Sequence, residues 1–184
     1  MARPLDHERR TRLLAGVVDY IAAHGLSELS LRPLAAELGT SSRMLIYYFG
    51  TKEELLVQAL ATQRPDIAAV FAGVADAATL RRRLTDLYES SLTSDGAISI
   101  RVMLQVLGAA CAPGSPYDRY ARDAIAVFVE ALSAALARIG VEEPSVVATL
   151  LISGMRGILQ DRLITGDVER TSRAGRRLVE AHVR

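Results

Sequence analysis

Apolar residues recur at intervals of three and four along this chain, and the gaps between such runs carry glycine, proline or a capping hydroxyl. Leu14, Val17, Val18 and Ile21 form one stripe, with Arg9, Arg12 and Asp19 opposite, which predicts an amphipathic helix from about Glu8 to His24. Gly25 ends it, because glycine reaches the left-handed conformation without a Cβ clash. Ser30 reads as the N-cap of a second helix, Leu31 to Leu38, whose inner stripe is Leu31, Leu34, Ala35 and Leu38. Pro33 is tolerated there, since first-turn amides have no intrahelical acceptor. After Gly39, Thr40-Ser41-Ser42 offers a tight turn and a new cap for a third helix, Arg43 to Phe49. Two short helices joined in this way form a helix-turn-helix pattern. Gly50-Thr51 breaks the chain again, and Thr51 with Glu54 spells a capping box that launches a fourth helix toward Leu60.

Pro65 ends or kinks that fourth helix, and the runs beyond it lengthen. Periodicity predicts helices at Asp66–Ala75, Ala77–Thr93, Ala97–Ala112, Pro116–Ile139, Pro144–Thr165 and Asp167–Val183. The breaks are Asp95-Gly96, Pro113-Gly114-Ser115-Pro116, Gly140 and Gly166-Asp167. The expected fold is all-α. A three-helix, helix-turn-helix DNA-binding module occupies residues 1–52, and a larger C-terminal helical bundle occupies 53–184.

Composition agrees with that class: half of the 184 residues are hydrophobic, 5% are aromatic and there is no Trp. No apolar run approaches a bilayer span, and Met1 to Arg12 is charged with no apolar stretch of the kind a secretory signal needs. Cys111 is alone, which excludes an intrachain disulfide framework and suits a reducing compartment. A soluble cytoplasmic protein without membrane partners is expected. Net charge is only +1, and over residues 1–52 seven bases face five acids. Any DNA affinity must therefore come from placed bases and helix N-termini, not from a diffuse positive field. His7, His24 and His182 show no ligand spacing, so no metal or other cofactor is expected. The phosphate-loop, zinc-protease, nucleophile-elbow and dinucleotide glycine motifs are all missing, which argues against an enzyme.

The segment SLRPLAAELGTSSRMLIYYFGTKEEL, residues 30–55, resembles the DNA-binding segment of TetR-family (tetracycline-repressor-like) transcriptional regulators. Gly39, Ser41, Leu45, Tyr48-Phe49 and Lys52 hold the family's spacing across two helices and two turns. The resemblance implies that Ser30 and Arg32 lie at the groove edge, and that Ser41, Ser42, Arg43 and Met44 open the recognition helix. It further implies that Tyr47, Tyr48 and Lys52 meet the phosphate backbone. Lys52 is the sole lysine of the chain. Arg43 stands where a small residue is usual, Ser42 where Lys or Gln is frequent, and Ile46 where an aromatic is common. An arginine can bond both guanine O6 and N7, so Arg43 is the expected base reader. No contact is carried over to Ile46.

The resemblance also implies a homodimer that binds a palindromic double-stranded DNA operator and is released from it by a small-molecule effector. The last two long helices would pair with their symmetry mates, with Leu151, Gly154 and Ile158 at the interface. Tyr88, Met103, Leu104, Leu107, Phe128 and Met155 are expected to line the effector pocket, which their apolar character suits to a hydrophobic molecule. Arg101, Gln105 and Gln160 are polar candidates to orient that molecule, and Pro65 is a candidate hinge. The alternative is a helical ligand-binding or protein-interaction module without specific DNA binding, which the departures at Ser42 and Ile46 keep open. Burial within one chain likewise remains open for the tyrosines and for the interface residues.

Overall fold

Every interruption read from the sequence falls between helices, except the one at Asp95-Gly96. A computed structural model describes residues 7–26, 29–62 and 65–184. Among them ten helices form: α1 (His7–His24), α2 (Leu31–Glu37), α3 (Ser42–Phe49), α4 (Lys52–Ala61), α5 (Ile67–Phe71), α6 (Ala77–Ser90), α7 (Ser94–Ala110), α8 (Asp118–Arg138), α9 (Pro144–Thr165) and α10 (Val168–His182). Local chemistry sets most of their ends. The Ser41 hydroxyl accepts the Met44 amide at 3.2 Å and starts α3. Thr51 and Glu54 form both bonds of the capping box, which satisfies two amides that α4 would otherwise leave open. The Asp66, Asp76 and Asp167 side chains each accept the amide three residues on and so cap α5, α6 and α10.

One capping bond and two boundaries differ from expectation. Ser30 has the extended backbone of an N-cap, but its side chain makes no capping bond. The helix expected over 66–75 closes after five residues, because Ala72 turns extended and Gly73 takes a φ of +66°. Gly96 lies inside α7 and does not break it. A Cβ there would sit 2.0 Å from the Ser90 carbonyl oxygen, so glycine is needed for close approach to the end of α6. Thr93 caps this helix by accepting the Gly96 amide at 3.2 Å.

The chain divides into two compact units. The first holds the described residues up to 62 together with 101–121. In it α1 packs on α4, α4 on α3, and α3 on α2. Leu14, Val17, Val18, Ile21, Leu34, Leu45, Phe49, Leu55, Leu56 and Leu60 are buried here. The boundary drawn on the sequence at 52/53 assigns α4 to the larger bundle, whereas its packing groups it with α1 and α3. Two hydrogen bonds fasten residues 101–121 into this unit. Gln105 Oε1 accepts the Leu26 amide at 2.7 Å, and the Tyr120 hydroxyl donates to the Leu60 carbonyl at 3.2 Å. Tyr117 is buried beside Glu53, and its phenol is pushed above the ordinary range by burial first and by that carboxylate second.

The second unit holds 65–100 and 122–184. Its core gathers Ile67, Phe71, Val74, Leu80, Leu84, Leu132, Leu136, Leu151, Val179 and Val183. Arg138 closes α5 from outside by donating to the Phe71 carbonyl at 2.9 Å and the Val74 carbonyl at 3.3 Å. Arg81, the first of three consecutive arginines, donates to the Val183 carbonyl at 2.9 Å and holds the C-terminus. No helix among the described residues is long and apolar enough to cross a membrane.

Candidate nucleic-acid interface

Helix α3 is two turns long, and its sequence divides cleanly between an inner and an outer face. Leu45 and Phe49, four residues apart, are buried against the rest of the first unit. Arg43, Ile46 and Tyr47 point the other way, with Tyr47 61% exposed and Ile46 40% exposed. Ser42, Met44 and Tyr48 are half-buried at the flanks, and Ser30, Arg32 and Ser41 are exposed. The Tyr47 and Tyr48 rings meet edge to face, 5.6 Å apart at 78°, so each restricts the other's rotamer. Lys52 is half-buried at the start of α4, so all nine residues expected to meet DNA keep accessible surface.

Lys52 has a second task that spacing alone does not reveal. Its amine donates to the Leu29 carbonyl at 3.3 Å and ties the start of α4 to the residue preceding the α2 cap. An ammonium has three donors, so two remain for an anion. Two further residues missed by sequence reasoning hold α3 from behind. The Arg10 guanidinium lies 5.2 Å from the centroid of the Phe49 ring and donates to Gln58 Oε1, while Gln58 Nε2 donates to the Phe49 carbonyl. The only sequence signal for Arg10 is its place on the polar side of α1. Thr40 stands next to Ser41 in the turn, but its hydroxyl is buried and offers nothing to a phosphate.

The other expected residues are distributed less simply. Tyr88 and Met155 line one cleft of the second unit. Phe128 packs against that unit's core, and Met103, Leu104 and Leu107 are half-buried in the first unit. Gln105 is engaged with the Leu26 amide. Of the interface residues, Leu151 is fully buried in its own unit and has no side-chain surface left for a partner. Gly154 admits α10 of the same chain, since a Cβ there would lie 2.5 Å from Leu178 Cδ2. Ile158 is half-buried. The exposed face of α9 runs instead through Val146, Leu150, Ser153, Gly157, Gln160 and Ile164, with no charged residue along it.

Residues 13–59 match the family described as bacterial regulatory proteins, tetR family. A transcriptional regulator from Rhodococcus sp. Rha1 shares the fold at a TM-score of 0.80 with 24% identity, over 94% of this chain and 95% of that one. A TetR transcriptional regulator from Legionella pneumophila aligns over all of both chains at a TM-score of 0.77 with 19% identity. NalD, the secondary repressor of the MexAB-OprM multidrug efflux pump in Pseudomonas aeruginosa, aligns at 0.73 with 17% identity, over 96% of this chain and 94% of that one. A complex of SmeT with triclosan aligns at 0.75 with 17% identity, over 96% and 92%. No curated protein matches the sequence.

Proposed function

We propose that this chain, a member of the tetR family of bacterial regulatory proteins through residues 13–59, is a homodimeric, cytoplasmic repressor released from a palindromic operator by a small molecule. The observation that carries the reading is the division of α3. Its apolar side is locked by Leu45 and Phe49, and Arg43 and Tyr47 stand outward and exposed. A helix held this way meets a major groove with its N-terminal residues, where Arg43 reads a guanine edge. Ser41, Ser42, Tyr47, Tyr48 and Lys52 position it on phosphates, while Ser30 and Arg32 reach the groove edge from the start of α2. This division of labour needs no large net charge.

One module reads one half-site, so palindrome recognition requires two. The uncharged face of α9 supports pairing with a second copy: Ile164 is 75% exposed, Leu150 is 48% exposed, and Gly157 has open space where a Cβ would stand. Effector release is favoured by the family, by the repressor NalD and by a SmeT complex that holds triclosan. Helices α7 and α8 each contribute residues to both units.

Selection from random double-stranded DNA with the purified protein tests the reading. A recovered palindrome whose half-sites are about 34–36 Å apart, or a multiple of that, is expected. Binding that weakens log-linearly with salt should accompany it. Recovery of no enriched site, or affinity indifferent to salt, would favour the protein-interaction alternative.

A further inference from the structure

A cleft of about 350 Å³ opens in the second unit among α6, α9 and α10, at the small end of ligand-site volumes. Its floor is apolar, from Leu92, Met155 and Val179. Its polar groups do not balance. Arg162 spends one donor on the Ser172 hydroxyl at 2.9 Å, and Arg176 is exposed. Among the described residues neither forms an ion pair, whereas Arg170, on the same helix as Arg176, is held by both Asp161 and Asp167. Glu89 is the cleft's single carboxylate against two guanidinium groups. Tyr88 also lines the cleft, and its hydroxyl is buried with no hydrogen-bond partner, a cost that a ligand acceptor would remove. On α9, Met155 and Arg162 lie about half a turn round from the uncharged outer face, so pairing through that face leaves this side of the helix untouched.

We propose that this cleft binds a small monocarboxylate with an apolar body, its carboxylate held by Arg162 and Arg176 and its chain lying on Met155, Leu92 and Val179. Guanidinium groups suit this ligand because they offer planar, paired donors to a carboxylate. The inference refines the effector expected from sequence, from a hydrophobic molecule to an amphiphilic anion, and rests on the proposed function for its regulatory use.

Calorimetric titration of the full chain with octanoate, octanol and octylamine tests it. Octanoate should bind, and octanol and octylamine should each bind at least about tenfold more weakly, the factor expected when a hydrogen bond to a charge is lost. Arg176→Gln and Arg162→Gln should each weaken octanoate by a similar factor, and Tyr88→Phe should weaken it without lowering the melting temperature. Arg173→Gln, which removes an arginine paired with Glu169, should leave binding unchanged. Equal binding of octanol and octanoate, tighter binding of octylamine, no binding of any probe, or octanoate binding indifferent to both Arg176→Gln and Tyr88→Phe would overturn the proposal. The titration contains no DNA, so its outcome is separable from that of the operator selection.

Discussion

Arg43 and Lys52 lie nine residues apart and illustrate two kinds of contact with a duplex. Arg43 is exposed and has no structural partner among the described residues, so its removal should affect only what it reads. Arg43→Ala should cost about 1–3 kcal/mol of operator binding and relax preference at one base pair per half-site. Competition binding against operators altered at that pair measures this, and undiminished discrimination would refute the assignment. Lys52→Ala should weaken every DNA sequence about equally and reduce the salt slope by roughly one counterion. Because its amine also holds the Leu29 carbonyl, the same change should lower the melting temperature, which Arg43→Ala should not. Gly154 supplies a prediction about packing. Its missing Cβ would meet Leu178 Cδ2 at 2.5 Å, so Gly154→Ala must displace the Leu178 side chain, an overpacking cost that opposes the roughly 1 kcal/mol alanine gains over glycine inside a helix. Leu178→Ala should relieve that clash, giving a favourable coupling energy in a double-mutant cycle; strictly additive effects would show that the two do not touch.

At the scale of helices, the outline was legible in the sequence because caps and breakers act locally. Ser41, Thr51 and Gly25 each do in the fold what their neighbours in sequence imply. Gly96 was misread because glycine permits both a break and a close approach, and only the position of the Ser90 carbonyl decides between them. Helix α9 poses the same difficulty in another form. Leu150 and Leu151 both belong to apolar stripes, and periodicity does not say which stripe is turned toward the chain's own core. Packing settles it: Leu151 is buried and Leu150 is not. Arg10 and Gln58 were invisible for a similar reason, since they sit forty-eight residues apart and meet only behind Phe49.

The turn between α9 and α10 carries an acid-sensitive link. The Asp161 carboxyl is held below its ordinary value of 3.8 chiefly by hydrogen bonds from the Arg170 guanidinium, and Asp167 chiefly by the Arg170 backbone amide. A carboxyl whose folded value is depressed adds stability that is complete above its unfolded value and lost as pH falls through the folded one. Both groups are exposed, so the contribution is small. The melting temperature should therefore fall on acidification below about pH 4, and Arg170→Gln should flatten that part of the profile. A profile unchanged by Arg170→Gln would locate the acid sensitivity elsewhere.

For the whole molecule, affinity for an operator depends on how many half-sites are engaged at once. A single α3 with one base-reading arginine and a handful of phosphate contacts binds weakly. Joining two such modules makes the second contact intramolecular, and the gain is roughly 10²–10⁴ in avidity when the spacing matches. If the outer face of α9 is what joins them, a charge placed there should act at a distance from the DNA. Leu150 is the suitable position, because it is already half exposed and its replacement removes little from the protomer's core. Leu150→Arg should leave the far-ultraviolet circular dichroism intact, shift the sedimentation velocity profile from dimer to monomer, and lower palindrome affinity by the avidity factor. Affinity for an isolated half-site should stay the same, since Arg43, Tyr47 and Lys52 are untouched. A Leu150→Arg protein that remains dimeric and binds the palindrome as tightly as before would mean that the two copies meet through some other surface.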